Sequence, residues 1–164
     1  MLKEFRNLAP AETQVLYDAI PLITILVGAA DGDLDEVELE EAKRLNHIRS
    51  FNNSGRIIAY YEAIEPTLTE RIQELSRELP SDVEARQAEI ATRLGALNDI
   101  FPKMAEPFGY LYYRDFHSFA RHIAEAHGGF LRFMTVGPKE AKVVDLPMIN
   151  KVAKPSAVDF PDLP

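Results

Sequence analysis

Residues 19–30, AIPLITILVGAA, form the longest apolar run in the chain, with Pro21 and Thr24 inside it and no charge anywhere along it. A bilayer span needs about 20 such residues, so a run of this length predicts a helix buried in a protein core. A helix that is apolar on every side has to be wrapped by other elements. The first question is therefore what the remaining residues offer as a wrapping.

They offer helices. Leu16, Ile20, Ile23, Val27 and Ala30 step by three and four, which predicts a first helix over residues 11–30, opened after Pro10 and kinked or divided at Pro21. Val37, Leu39, Ala42, Leu45 and Ile48 carry the same period over a second helix at 35–49, and SFNNSG at 50–55 has turn chemistry. A third stretch runs over 56–79, divided near Pro66. Ser81 with Glu84 three residues on is a capping-box signature for a fourth, reaching about Ile100. Pro102 and Pro107 then break the chain before an aromatic-rich fifth helix over 108–127.

Beyond Gly128 the prolines crowd, leaving a short helix at 138–144 and an extended end, KPSAVDFPDLP, either strapped across the core or frayed. No segment alternates with period two over a useful length. The fold class expected is all-α, a compact bundle of five to seven helices. A single helical domain is expected over 1–150, followed by an extended Pro-rich tail over 151–164.

The chain also resembles itself. GAADGDL at 28–34 aligns with AEAHGGF at 124–130, and EAK recurs at 41–43 and 140–142. A helix, a glycine turn and a second helix thus recur, which predicts two pseudo-symmetric halves. The acids of the first copy are missing from the second, where His127, Gly129 and Leu131 stand in place of Asp31, Asp33 and Asp35. Charge that served only to solvate a helix would be expected in both copies.

That charge is concentrated. Seven of the eleven residues from Asp31 to Glu41 are acidic and none is basic. The whole chain carries a net −8, which argues against nucleic acid and against an anionic membrane surface, and suits cations or basic partners. The chain has no cysteine, so disulfides, thiolate metal sites and thiol catalysis are excluded. The N-terminal segment has charges and no apolar h-region, so a cytoplasmic protein without a signal peptide or membrane insertion is expected.

Two readings of the acidic turn stand side by side. In the first, Asp31, Asp33, Asp35 and Glu38 hold a hard divalent cation, helped by carbonyls at the end of the first helix that lack intrahelical partners. Oxygen donors of this kind favour Ca²⁺ or Mg²⁺ over Zn²⁺. A true EF-hand loop does not fit, because Val27 and Ala29 occupy its first and third ligand positions. In the second reading Asp35 is the N-cap of the second helix and Glu38 its N3 partner, with Gly32 permitting the turn and no metal involved.

The run ILVGAADGDLDEVELEEAKRL resembles the signature of the TerB-like family of tellurite-resistance proteins. The shared pattern is an apolar helix, Ala-x-x-Asp-Gly, an acidic residue, and a glutamate one turn into the next helix. Asp31, Gly32, Asp33 and Glu38 fill those places. The resemblance implies an all-helical fold in two pseudo-symmetric halves. It also implies a cytoplasmic stress-response module that binds divalent cations and works beside membrane proteins of the same resistance system. It brings the cation reading forward and implies no enzyme. The second half departs from the pattern at AHGGF.

No catalytic constellation emerges from the remaining residues. His117, His122 and His127 recur every five residues and so do not share a helix face. His47 sits where a cation would help a helix end, and Glu62 and Glu65 read as solvated charge. There is no nucleophile elbow, phosphate loop or dinucleotide fingerprint, and no organic cofactor is expected. The aromatic run GYLYYRDFHSF reads as core or as a partner-facing helix. No anion pocket is foreseen on so acidic a chain. The function expected is a non-enzymatic module binding a divalent cation at the acidic junction. The alternative is a metal-free scaffold that docks a basic protein partner on the same face.

Overall fold

A computed structural model describes residues 2–30, 32, 34–52, 55–126 and 143–163. The described residues hold seven α-helices and no strand: α1 (Pro10–Gly28), α2 (Glu36–Asn52), α3 (Ile58–Ile64), α4 (Leu68–Glu78), α5 (Val83–Gly95), α6 (Leu97–Ile100) and α7 (Phe108–Ala126). Short 3-10 turns lie at Lys3–Phe5, Glu65–Thr67, Phe101–Lys103 and Val143–Asp145. The fold is all-α, with a helix count inside the expected five to seven.

Helix α1 is the axis of the bundle, packed by α7, α4, α5 and α2. Every residue from Ala19 to Gly28 is buried. By length and composition alone α1 would be apolar enough to cross a membrane; here its apolar surface is consumed by the core. Pro21 does not divide it. Having no N–H, Pro21 leaves the Tyr17 carbonyl without its usual helical donor. The loosened turn is braced from outside, where the Tyr60 hydroxyl donates to the neighbouring Leu16 carbonyl at 2.7 Å.

Three boundaries differ from the periodicity and one agrees with it. The second helix continues to Asn52, through the expected turn, because the Ser50 hydroxyl donates back to the His47 carbonyl (2.7 Å) and so is accommodated within the helix. Pro66 does divide the third stretch, at the Glu65–Thr67 turn. The fourth helix is capped by Asp82, whose carboxylate accepts from the Ala85 N–H at 2.9 Å, one residue after the expected Ser81. It also stops at Gly95, so that α6 is a separate short helix. The second copy of the internal repeat and the helix expected at 138–144 fall mostly outside the described residues; within them Val143–Asp145 is a 3-10 turn.

The C-terminal segment is strapped rather than frayed. Asn98 clamps it with both ends of its amide, donating to the Met148 carbonyl (2.9 Å) and accepting from the Asn150 N–H (2.7 Å). Leu146, Ile149 and Leu163 return to the core. Arg56 lies over the Phe160 ring at 5.5 Å.

The aromatic run is core. Tyr112, Phe116 and Phe119 are fully enclosed, and Tyr112 and Phe116 pack with Phe5 and Tyr60 in tilted and edge-to-face contacts. Burial raises the pKa of Tyr60, Tyr61 and Tyr112, with Asp115 adding to it for the first two and Glu4 for the third. A raised folded value means that the native state keeps these protons above the point, about pH 10, where the unfolded chain releases them. Stability from the three is therefore complete below about pH 10 and falls above it, by about 1.4 kcal/mol per tyrosine for each pH unit. In an alkaline absorbance titration, three of the six tyrosines should stay silent until the far-UV signal collapses, and then ionise together.

Candidate functional site

The acidic junction is built by the close approach of α2 to the end of α1. Gly28 allows it: a Cβ there would lie 2.5 Å from Leu34 Cδ1 and 3.5 Å from Glu38 Cβ. The C-cap is Ala29, whose N–H still reaches the Ile25 carbonyl (3.0 Å), and Gly32 follows at φ +153°, a backbone setting that side chains strain to adopt. Asp31 and Asp33, the two central carboxylates of the expected site, lie outside the described residues.

Asp35 and Glu38 are described, and they hold each other. The Asp35 carboxylate accepts from the Glu38 N–H (2.9 Å) and the Glu38 carboxylate accepts from the Asp35 N–H (3.0 Å). This reciprocal pair is a capping box, with Asp in the place of Ser or Thr. Glu38 is only 5% exposed. Further along α2 the acids pair with bases three residues on, Glu40 with Lys43 (2.7 Å) and Glu41 with Arg44 (2.8 Å). The Arg44 hydrogen bonds hold the Glu41 carboxyl below its ordinary range.

The feature that sequence reasoning missed is Arg86. It projects from the first turn of α5, is 7% exposed, and reaches across to the junction. Its Nη2 donates to the Ala29 carbonyl (3.0 Å) and to the Gly32 carbonyl, and its Nη1 to the Ser81 carbonyl (3.5 Å). The carbonyls left over where α1 ends are those the cation reading assigned to a metal. Two oxygens at this turn, those of Ala29 and Gly32, instead receive a guanidinium carried by the chain. Among the described residues no three His, Asp or Glu side chains cluster as a metal site.

A second polar centre lies between α2 and α7. Arg49 and Asp115 form an ion pair with side chains 12% and 11% exposed, and the Tyr61 hydroxyl donates to the other Asp115 oxygen. Arg49 Nη2 also lies 3.2 Å from Ser118 Oγ and 3.2 Å from His122 Nδ1. The His122 Nδ1 faces the Ser118 backbone carbonyl at 2.7 Å, closer than the Ser118 hydroxyl at 3.5 Å, so its proton is directed to the carbonyl and this nitrogen does not serve as base for the serine. His117 Nδ1 donates to the Tyr113 carbonyl (2.8 Å) in the same helical manner, and His127 lies outside the described residues. His47 is within α2 rather than at its end, and meets Glu65 at 2.6 Å.

Comparison with known proteins adds no assignment: no family model matches the chain, and no curated protein or solved structure matches it at a significant level.

Proposed function

We propose that the chain is a non-enzymatic interaction module, of the stress-response type implied by the tellurite-resistance resemblance, and that the acidic face at the start of α2 docks a basic protein surface. The observation that carries this reading over metal binding is Arg86. Its guanidinium already lies on the Ala29 and Gly32 carbonyls, and a second cation brought to the same oxygens would meet a like charge at close range. The face has what a docking surface needs. Glu36 and Glu40 are exposed, and Val37 between them is 59% exposed, giving the charge an apolar centre. A basic segment of a membrane protein from the same system would be a partner of this chemistry. A cytoplasmic location, with no nucleic acid and no membrane insertion, belongs to the same proposal.

The second reading is a divalent cation, Ca²⁺ or Mg²⁺ before Zn²⁺, at Asp31, Asp33, Asp35 and Glu38. The observation favouring it is that a carboxylate, Glu38, is buried beside Asp35 and the acidic turn, with its hydrogen bond from the Asp35 N–H holding it there.

Calorimetry separates the two. Chelator-treated protein is titrated with each of the three ions and with an octa-arginine peptide, beside the double variant Asp31→Asn, Asp33→Asn. The docking reading expects no ion heat, and peptide binding that weakens as salt rises toward about 0.15 M and weakens further in the variant. Micromolar ion binding that disappears in the variant would replace docking by the second reading.

A further inference from the structure

The cleft beside Arg49 encloses about 440 Å³, within the range of about 300–1,000 Å³ typical of small-molecule sites. On a chain of net charge −8 its lining is basic: Arg44, Arg49 and Arg114 against one carboxylate, Asp115. Asp115 is already engaged by Arg49 and Tyr61. Glu41 holds Arg44 at the rim, so at least one guanidinium charge remains uncompensated. That charge is Arg114, which is exposed and, among the described residues, has no acid within ion-pair distance.

The donors in this cleft are also pre-set. Arg49 is fixed by Asp115 and lies over the rings of Tyr61 (5.9 Å) and Phe119 (5.5 Å). Because the His122 Nδ1 proton goes to the Ser118 carbonyl, Arg49 Nη2 and that nitrogen, 3.2 Å apart, are two donors facing one another. Each is already held by Ser118, Nη2 at its hydroxyl (3.2 Å) and Nδ1 at its carbonyl (2.7 Å), so they fix the Arg49 charge in place, and the guanidinium left to receive an anion is that of Arg114. The opposite wall is apolar, formed by Leu45, Ile48, Ile57 and Leu111, with Ile48 37% exposed at the opening.

We propose that this cleft binds a small organic carboxylate. Its charged end sits on the Arg114 guanidinium, beside the fixed charge of Arg49, and its apolar body lies on the Leu45–Ile48 wall. A planar carboxylate matches the planar guanidinium fork, and the apolar wall selects against a bare inorganic ion. The cleft shares no residue with the docking face at Glu36, Val37 and Glu40, so the two proposals stand or fall separately.

The test is a nitrogen–proton NMR titration of the full chain, reading backbone amides and arginine Nε–H groups. The probes are benzoate, phenyl phosphate, inorganic phosphate and benzyl alcohol. The expected result is saturable benzoate shifts at Arg49, Arg114 and Ser118, with a Kd near about 1 mM or tighter for so small a ligand. Arg114→Gln, a change at an exposed position, should weaken it about tenfold, and Ile48→Ser should weaken it by a smaller factor. Benzyl alcohol should leave the spectrum unchanged. No saturable benzoate shift, or benzoate binding unaltered in both variants, would overturn the proposal. Inorganic phosphate binding as tightly as benzoate would overturn the apolar half of it, and tighter phenyl phosphate would overturn the carboxylate.

Discussion

Replacing Arg86 by alanine should cost about 3 kcal/mol of folding stability. The side chain donates three hydrogen bonds from a charged group, to the carbonyls of Ala29, Gly32 and Ser81. Charge-assisted bonds of this kind are worth about 1.5–3 kcal/mol each, and the bond at 3.5 Å contributes least. The desolvation cost of the buried guanidinium is recovered in the variant, which keeps the loss below the sum. Two further effects add to it. The Ala29 carbonyl is left with only the Gly32 N–H (3.2 Å), and the junction that Asp35 and Glu38 cap loses the positive charge held on the Gly32 carbonyl. For a domain of this size the change corresponds to a fall in Tm of about 6–12 °C. Arg86→Lys should recover only part, since one ammonium cannot span three carbonyls in the fork geometry.

Thermal melts in chelator and in millimolar Ca²⁺ check both halves of the argument. If the guanidinium stands where a metal would otherwise sit, Ca²⁺ should raise the Tm of Arg86→Ala more than that of the parent chain. A loss within about 0.5 kcal/mol, the ordinary scatter of surface changes, would remove Arg86 from its assigned role.

The helices were legible from the sequence because their apolar residues keep the period through most of each element. The capping pair at Asp35 and Glu38 was legible for the same reason: it depends on residues three apart in the chain. What the sequence concealed are interactions between elements. Arg86 bonds to residues 54 and 57 positions away, and Arg49 to Asp115 at a separation of 66. A signal was present even so. Arg86 stands on one helix stripe with Ile90 and Leu94, and Asp115 on one with Leu111 and Phe119. A charge standing where the period calls for an apolar residue is either exposed by a local turn or buried with a partner. Which partner is a question of topology, and the spacing within one helix contains no answer to it. The same holds for the basic cleft, since an excess of acid over the whole chain says nothing about where the arginines meet.

Asp115→Ala should be the most damaging single change among the polar residues of the bundle, at about 3–5 kcal/mol. Arg49, with 12% of its side chain exposed, would keep a charge in a nearly dry site with its carboxylate gone, and the Tyr61 hydroxyl would lose its acceptor. Removing one partner of a buried pair is costly because the other remains charged and desolvated, whatever the pair itself contributed. Tyr61→Phe should cost less, about 1–2 kcal/mol, since it removes one donor to a carboxylate that keeps Arg49.

The informative variant is the double change Arg49→Met, Asp115→Leu. Exchanging both charges for apolar side chains of similar size is often neutral or stabilising, so the double variant should regain most of what Asp115→Ala loses. Urea unfolding of Arg49→Met, Asp115→Leu and the double variant closes a cycle, and a coupling energy of at least about 2 kcal/mol is expected for partners in direct contact. A double variant no more stable than Asp115→Ala would show that Arg49 stabilises through its stacking on Tyr61 and Phe119 instead. If the double variant is as stable as the parent, the buried pair is dispensable for folding. Its worth then lies in holding the Arg49 guanidinium rigid at the mouth of the α2–α7 cleft, and the same variant should no longer bind benzoate.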